Sequence, residues 1–131
     1  MNVESSINKL MDYMGVDQDV ISELFSEYFI EMEENIIECI TLENDKDWDK
    51  LARIIHNMKG VSANLSVEDV FLLCAEIEKE VKANIISKEE VKEGITKEQI
   101  LKLQDMIHKS KQEIFSFLDI NKESLLDNGG I

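Results

Sequence analysis

Apolar residues recur at three- and four-residue steps along almost the whole chain, and that period belongs to α-helices. Val3, Ile7, Leu10, Met11 and Met14 form a first short stripe, and Gly15 follows as a stop. Asp17 is placed to cap a second, long helix with the stripe Ile21, Leu24, Phe25, Tyr28, Met32, Ile36 and Ile40. The opposite face carries Glu23, Glu27, Glu31, Glu34 and Glu38 and reads as solvated. The polar run from Glu43 to Asp47 breaks this helix and starts a third near Asp45 or Asp47. Trp48, Leu51, Ile54, Ile55, Met58, Val61, Ser62 and Leu65 lie along its stripe.

Ser66 is the expected N-cap of a fourth helix, with Asp69 three residues on and the stripe Val70, Leu73, Cys74, Ile77 and Val81. Asn84 to Ile95 is the least periodic stretch and reads as a connection, with room for one short helical turn at Ser87 to Glu90. Thr96 and Gln99 form a capping box that opens a fifth helix through Ile100, Leu103, Ile107, Ile114 and Leu118. Proline is absent and glycine occurs five times, too few of either for a turn-rich β fold. With 44% hydrophobic residues the chain can build a real core. The expected fold is all-α: an antiparallel four-helix bundle over about 17–118, a short N-terminal cap helix over about 3–14, and a flexible tail over about 119–131. A single domain accounts for residues 1–131.

Acidic residues outnumber basic ones 28 to 14, for a formal charge of −14. That balance argues against nucleic-acid binding and against docking on anionic lipid, and it mildly favours a monomer. No apolar run reaches the length of a membrane span, and Met1-Asn2-Val3-Glu4 lacks the basic-then-apolar order of a signal peptide. A cytoplasmic protein is expected. Cys39 and Cys74 sit in apolar stretches and read as reduced core thiols; no paired-cysteine motif suggests zinc.

A helical bundle serves many functions, so function has to come from a site. On a helical wheel, His56 points roughly 160° away from the apolar stripe of the third helix. Ala52 lies four residues before it, Gly60 four after and Ala63 seven after, while Arg53 and Lys59 stand three residues to either side. The imidazole should therefore project into solvent from a ledge of small residues with two cations beside it. The window from Lys50 to Val67 holds three bases and no acid, against the trend of the chain. A neutral imidazole nitrogen is a competent nucleophile toward a phosphoryl group, and nearby cations offset the charge that the group brings. Gly60 costs helix stability, about 1 kcal/mol relative to alanine, yet the stripe continues past it in phase through Val61 and Leu65. The helix is expected to run through Gly60, with its bare surface reserved for close approach by a partner.

The segment Ala52-Arg53-Ile54-Ile55-His56-Asn57-Met58-Lys59-Gly60-Val61-Ser62-Ala63-Asn64-Leu65 resembles the signature of histidine-containing phosphotransfer (Hpt) domains. That signature is a small residue, then His-x-x-Lys-Gly, then a small-residue-rich half-turn. The lead-in Asp47-Trp48-Asp49-Lys50-Leu51 and the downstream stretch from Leu73 to Glu78 also resemble the family pattern. The resemblance implies a four-helix bundle that relays phosphoryl groups in two-component phosphorelays. It places the phosphorylated histidine at His56, the neighbouring cation at Lys59 and the small position at Gly60. Arg53, Ala52, Ala63 and Asn64 then belong to the partner-binding surface. It implies a response-regulator receiver domain or a hybrid sensor histidine kinase as partner. The partner supplies the phospho-aspartate and Mg²⁺, and the chain itself needs no cofactor and no metal. The protein is expected to be a stand-alone phosphoryl carrier and not a turnover enzyme. Many family members carry glycine at the turn ten residues after the histidine, where this chain has Ser66. Asn64, which tolerates a left-handed conformation, is expected to help the turn.

His108, with Lys111 and Gln112 near it, echoes the first site but lacks small neighbours, and reads as structural. The bundle does not carry the paired Glu-x-x-His motifs of di-iron proteins, since Arg53 and Asp105 occupy those positions. No phosphate-binding glycine loop is present, so the chain is not its own kinase. The competing expectation is a helical interaction module that binds a signalling partner through the same surface without being phosphorylated.

Overall fold

The computed structural model describes residues 2–87 and 94–129, with side chains as far as 119. Among the described residues five helices follow one another: α1 (Val3–Met14), α2 (Gln18–Asn44), α3 (Trp48–Asn64), α4 (Glu68–Ile86) and α5 (Ile95–Gly129). Among the described residues there is no strand. Short acidic or amide side chains start the first three helices by accepting a backbone N–H that has no intrahelical partner. Asn2 accepts from Ser5, Asp17 from Val20, and Asp47 from Lys50.

The links α2–α3 and α3–α4 are three residues each and share one geometry. Lys46 N–H bonds to the Glu43 carbonyl and Asp47 N–H to that of Leu42. In the same way, Ser66 N–H bonds to the Ala63 carbonyl and Val67 N–H to that of Ser62. Each link places one residue in the left-handed region, Lys46 at φ 56° and Ser66 at φ 58°. This corrects the expectation for the second turn. Ser66 does not cap α4, because its backbone is committed to closing α3; Val67 takes the N-cap position and makes no side-chain cap bond. Asn64 is the last helical residue of α3, so the left-handed position falls on the serine itself.

Each of α2, α3, α4 and α5 packs against two of the others, in the order α2–α3–α4–α5–α2, and α1 packs on α5. The enclosed core joins Ile21, Phe25, Tyr28, Phe29, Met32 and Ile36 of α2 to Leu51, Ile55 and Met58 of α3. Val70, Leu73, Cys74, Ile77 and Val81 of α4, with Ile100, Leu103, Ile107, Ile114 and Leu118 of α5, complete it. Full burial of an aliphatic or aromatic side chain of this size is worth roughly 1.5–3 kcal/mol. Ile7 and Leu10 of α1 enter the same cluster, so the first helix is part of the core packing. Phe29 packs on Phe115 of α5 with the rings tilted and their centroids 5.6 Å apart. The Tyr28 and Ser62 hydroxyls share a 2.6 Å hydrogen bond that satisfies both in the interior and fixes α2 against α3.

Three details depart from the sequence expectations. Ile40 lies at the surface and Cys39 takes its place in the core, because four-residue steps drift around a helix of 3.6 residues per turn. Thr96 is not a cap: it is buried in the first turn of α5 and accepts a hydrogen bond from Asn84 at 3.1 Å, tying α4 to α5. The backbone of α5 is helical to Gly129 where a tail is expected from about 119, and no proline or glycine intervenes before Gly129 to stop it. The short turn expected at Ser87 to Glu90 falls largely on residues outside the described ones. Among the described residues, no helix is long and apolar enough to cross a membrane.

Candidate functional site

Helix α3 turns Leu51, Ile55, Met58 and Ser62 into the core. The same period leaves Arg53, His56, Asn57, Gly60, Ala63 and Asn64 exposed. The helix passes through Gly60 without a break, as the in-phase stripe requires. A Cβ placed at Gly60 would meet nothing within 4 Å, so nothing in the fold itself demands a glycine there. His56 stands on this face with its side chain 68% exposed.

The neighbour that organises His56 comes from α4. Glu78 lies at the edge of the apolar stripe of α4, and its side chain is only 8% exposed. A buried carboxylate requires partners for its charge, and three cationic or polar groups provide them. His56 Nδ1 lies 2.6 Å from Glu78 Oε2, and Lys59 Nζ donates to Oε1 at 2.6 Å. Lys82 Nζ is 3.8 Å from Oε2. Burial pushes the Glu78 carboxyl up, but the hydrogen bonds from Lys59 and His56 and the charges of Lys59 and Lys82 outweigh it. The group is held below its ordinary 4.5. Glu78 is therefore a carboxylate at neutral pH, and a carboxylate only accepts. His56 then donates from Nδ1, and in the neutral form of the ring the lone pair lies on Nε2, at its outer edge.

Ala52, Arg53, His56, Glu78 and Lys82 line one shallow concavity between α3 and α4. Lys59 sits behind it and is 25% exposed. Its ammonium is bonded to Glu78 and not to the imidazole. Ala63 and Asn64 share the face of α3 but not the concavity. They line a separate hollow with Lys9, Leu10, Tyr13 and Ser66, where α3 ends against α1.

Two contributors, Glu78 and Lys82, escape a reading of α3 alone. The signal for Glu78 is an acid set among Cys74, Ile77 and Val81 at core spacing, where a carboxylate is stable only with a partner. The basic window around His56 supplies that partner. His108, by contrast, is exposed on α5 and accepts from Gln112 at 3.2 Å. Among the described residues no carboxylate pairs with its ring, and none of the described His, Cys, Asp and Glu residues form a group of three that could hold a metal ion.

No significant match to the chain was found among curated proteins or among solved structures. The family model for the Hpt domain matches residues 23–113, a span that takes in most of α2, all of α3 and α4, and α5 as far as Glu113. The exposed imidazole and its carboxylate partner fall inside the matched span, and the chain belongs to the Hpt domain family, whose members carry out histidine phosphotransfer in phosphorelays.

Proposed function

We propose that the protein is a stand-alone phosphoryl carrier in which Nε2 of His56 takes a phosphoryl group from the aspartate of one receiver domain and passes it to another. The observation that carries this reading is the 2.6 Å contact of Glu78 with Nδ1, which fixes the tautomer and turns Nε2 outward. As Nε2 attacks, a nitrogen–phosphorus bond forms and the phosphorus–oxygen bond of the partner's acyl phosphate breaks. The electron pair leaves with the partner's carboxylate. The Nδ1 proton stays in place, so the phosphorylated ring becomes cationic, and Glu78 is the counter-charge already in position. Lys59 holds the second oxygen of Glu78 and so keeps the carboxylate aimed at the ring. Ala52 and Gly60 leave the imidazole open to the close approach of another protein's reactive centre. The partner, a receiver domain or a hybrid sensor kinase carrying one, supplies Mg²⁺; the chain acts as a carrier without a cofactor of its own and without net turnover.

The ring of contacts among α2, α3, α4 and α5 supports an antiparallel four-helix bundle capped by α1; that it works as one domain, as a monomer and in the cytoplasm belongs to the same proposal. The test is incubation with a phosphorylated receiver domain. An acid-labile, base-stable label is expected on the wild type and on His108→Gln, and not on His56→Gln. Binding of the receiver with no label on the wild type would assign the surface to recognition alone.

A further inference from the structure

Three cations flank His56, and their surroundings divide them into two kinds. Lys59 is three-quarters buried and its Nζ sits 2.6 Å from Glu78 Oε1. It is held. Lys82 is 59% exposed and its Nζ stays 3.8 Å from Glu78 Oε2, beyond hydrogen-bond distance. Arg53 is exposed and has no hydrogen-bond or ion-pair partner among the described residues. Arg53 and Lys82 line the same concavity as His56, one from α3 and the other from α4.

We infer that Arg53 and Lys82, and not Lys59, are the cations that receive the phosphoryl group on His56. The inference rests on the reading of His56 as the phosphorylated residue. A phosphoryl group on Nε2 projects away from Glu78, toward the open side of the concavity. Drawing Lys59 out to meet it would strip a buried carboxylate of one of its two close partners. Swinging Lys82 or Arg53 onto it breaks no short hydrogen bond. Both reach from within one helical turn of a residue already in the site, Arg53 three before His56 and Lys82 four after Glu78. The planar guanidinium of Arg53 matches two phosphoryl oxygens at once, and Lys82 adds a mobile point charge. Ala52 keeps the floor between them low. Of the charged groups around the ring, Arg53 and Lys82 then face the phosphoryl, while Lys59 and Glu78 stay paired on its far side.

The experiment uses phosphoramidate, a small donor that labels histidine without a protein partner, and follows the product by ³¹P NMR across pH. Arg53→Gln, Lys82→Gln, the double variant and Lys59→Gln are compared with the wild type, each checked for helix content. Loss of each clamp cation is expected to raise the titration midpoint of the bound phosphoryl by about half a unit and to slow labelling roughly threefold. Lys59→Gln is expected to leave that midpoint in place while weakening the Nδ1–H tautomer in ¹⁵N spectra of His56. A midpoint unmoved in the double variant, or moved most by Lys59→Gln, overturns the inference while leaving His56 as the acceptor. Absence of phosphohistidine at position 56 in the wild type would remove both.

Discussion

A single carboxylate decides what His56 can do. Without Glu78 the ring would sample both neutral tautomers, and under the proposed function the cation formed on phosphorylation would stand in water alone. Glu78→Gln keeps the shape and removes the charge. Hydrogen bonds to charged groups are worth about 1.5–3 kcal/mol, so phosphotransfer is expected to slow roughly ten- to a hundredfold, measured with a phosphorylated receiver domain. The same residue gives the fold an acid-sensitive contribution. Its pKa is lower in the folded chain than the ordinary 4.5, so its stabilisation is present above that pH and fades as pH falls through the lowered value. Urea unfolding should therefore show the wild type and Glu78→Gln converging in stability below about pH 4.5; a constant gap down to pH ~3 would deny the pairing. His56 itself was legible, because a wheel places it opposite the core stripe. Glu78 was not legible as a site residue, because its role depends on a contact between residues 22 apart on different helices.

At the level of elements, periodicity located each of the described helices, and the acidic caps Asp17 and Asp47 set the starts of α2 and α3. The turn between α3 and α4 was harder to read. Serine, with its capping hydroxyl, suggests a helix start, yet the fold uses Ser66 as glycine is used, in a left-handed conformation that costs an L-residue roughly 1–2 kcal/mol. Glycine relieves that strain and gives part of it back as unfolded-chain entropy. Ser66→Gly is expected to stabilise the protein by about 0.5 kcal/mol, and Ser66→Val to destabilise it by about 1 kcal/mol or more, in thermal or urea unfolding. Equal stabilities for the three would mean that the turn relaxes out of this geometry. Helix ends were less legible than helix bodies for the same reason: Thr96 offers a cap by its chemistry, and the packing against Asn84 uses it otherwise.

At the scale of the whole molecule, the core is closed to solvent and its reactive groups are silenced by burial. Burial, with a smaller contribution from Cys74, pushes the Cys39 thiol from 9.0 up to about 12. Burial and then the Glu78 charge do the same for Cys74. The folded state favours the neutral thiols, so their contribution holds below pH 9 and is lost as pH rises toward 12. Iodoacetamide at pH ~8.5 should modify neither cysteine in the native protein and both in urea. Rapid native labelling would mean that the bundle opens locally. The two reduced core thiols were legible from composition and position, whereas the closed ring of four helices rests on contacts that no single stripe reveals. Among the described residues, the groups that line the concavity around the imidazole come from two successive helices joined by a three-residue turn. If the proposed transfer runs through this concavity, the outward surfaces of α2 and α5 lend it no side chain, and substitutions there should alter which partner docks before they alter the chemistry.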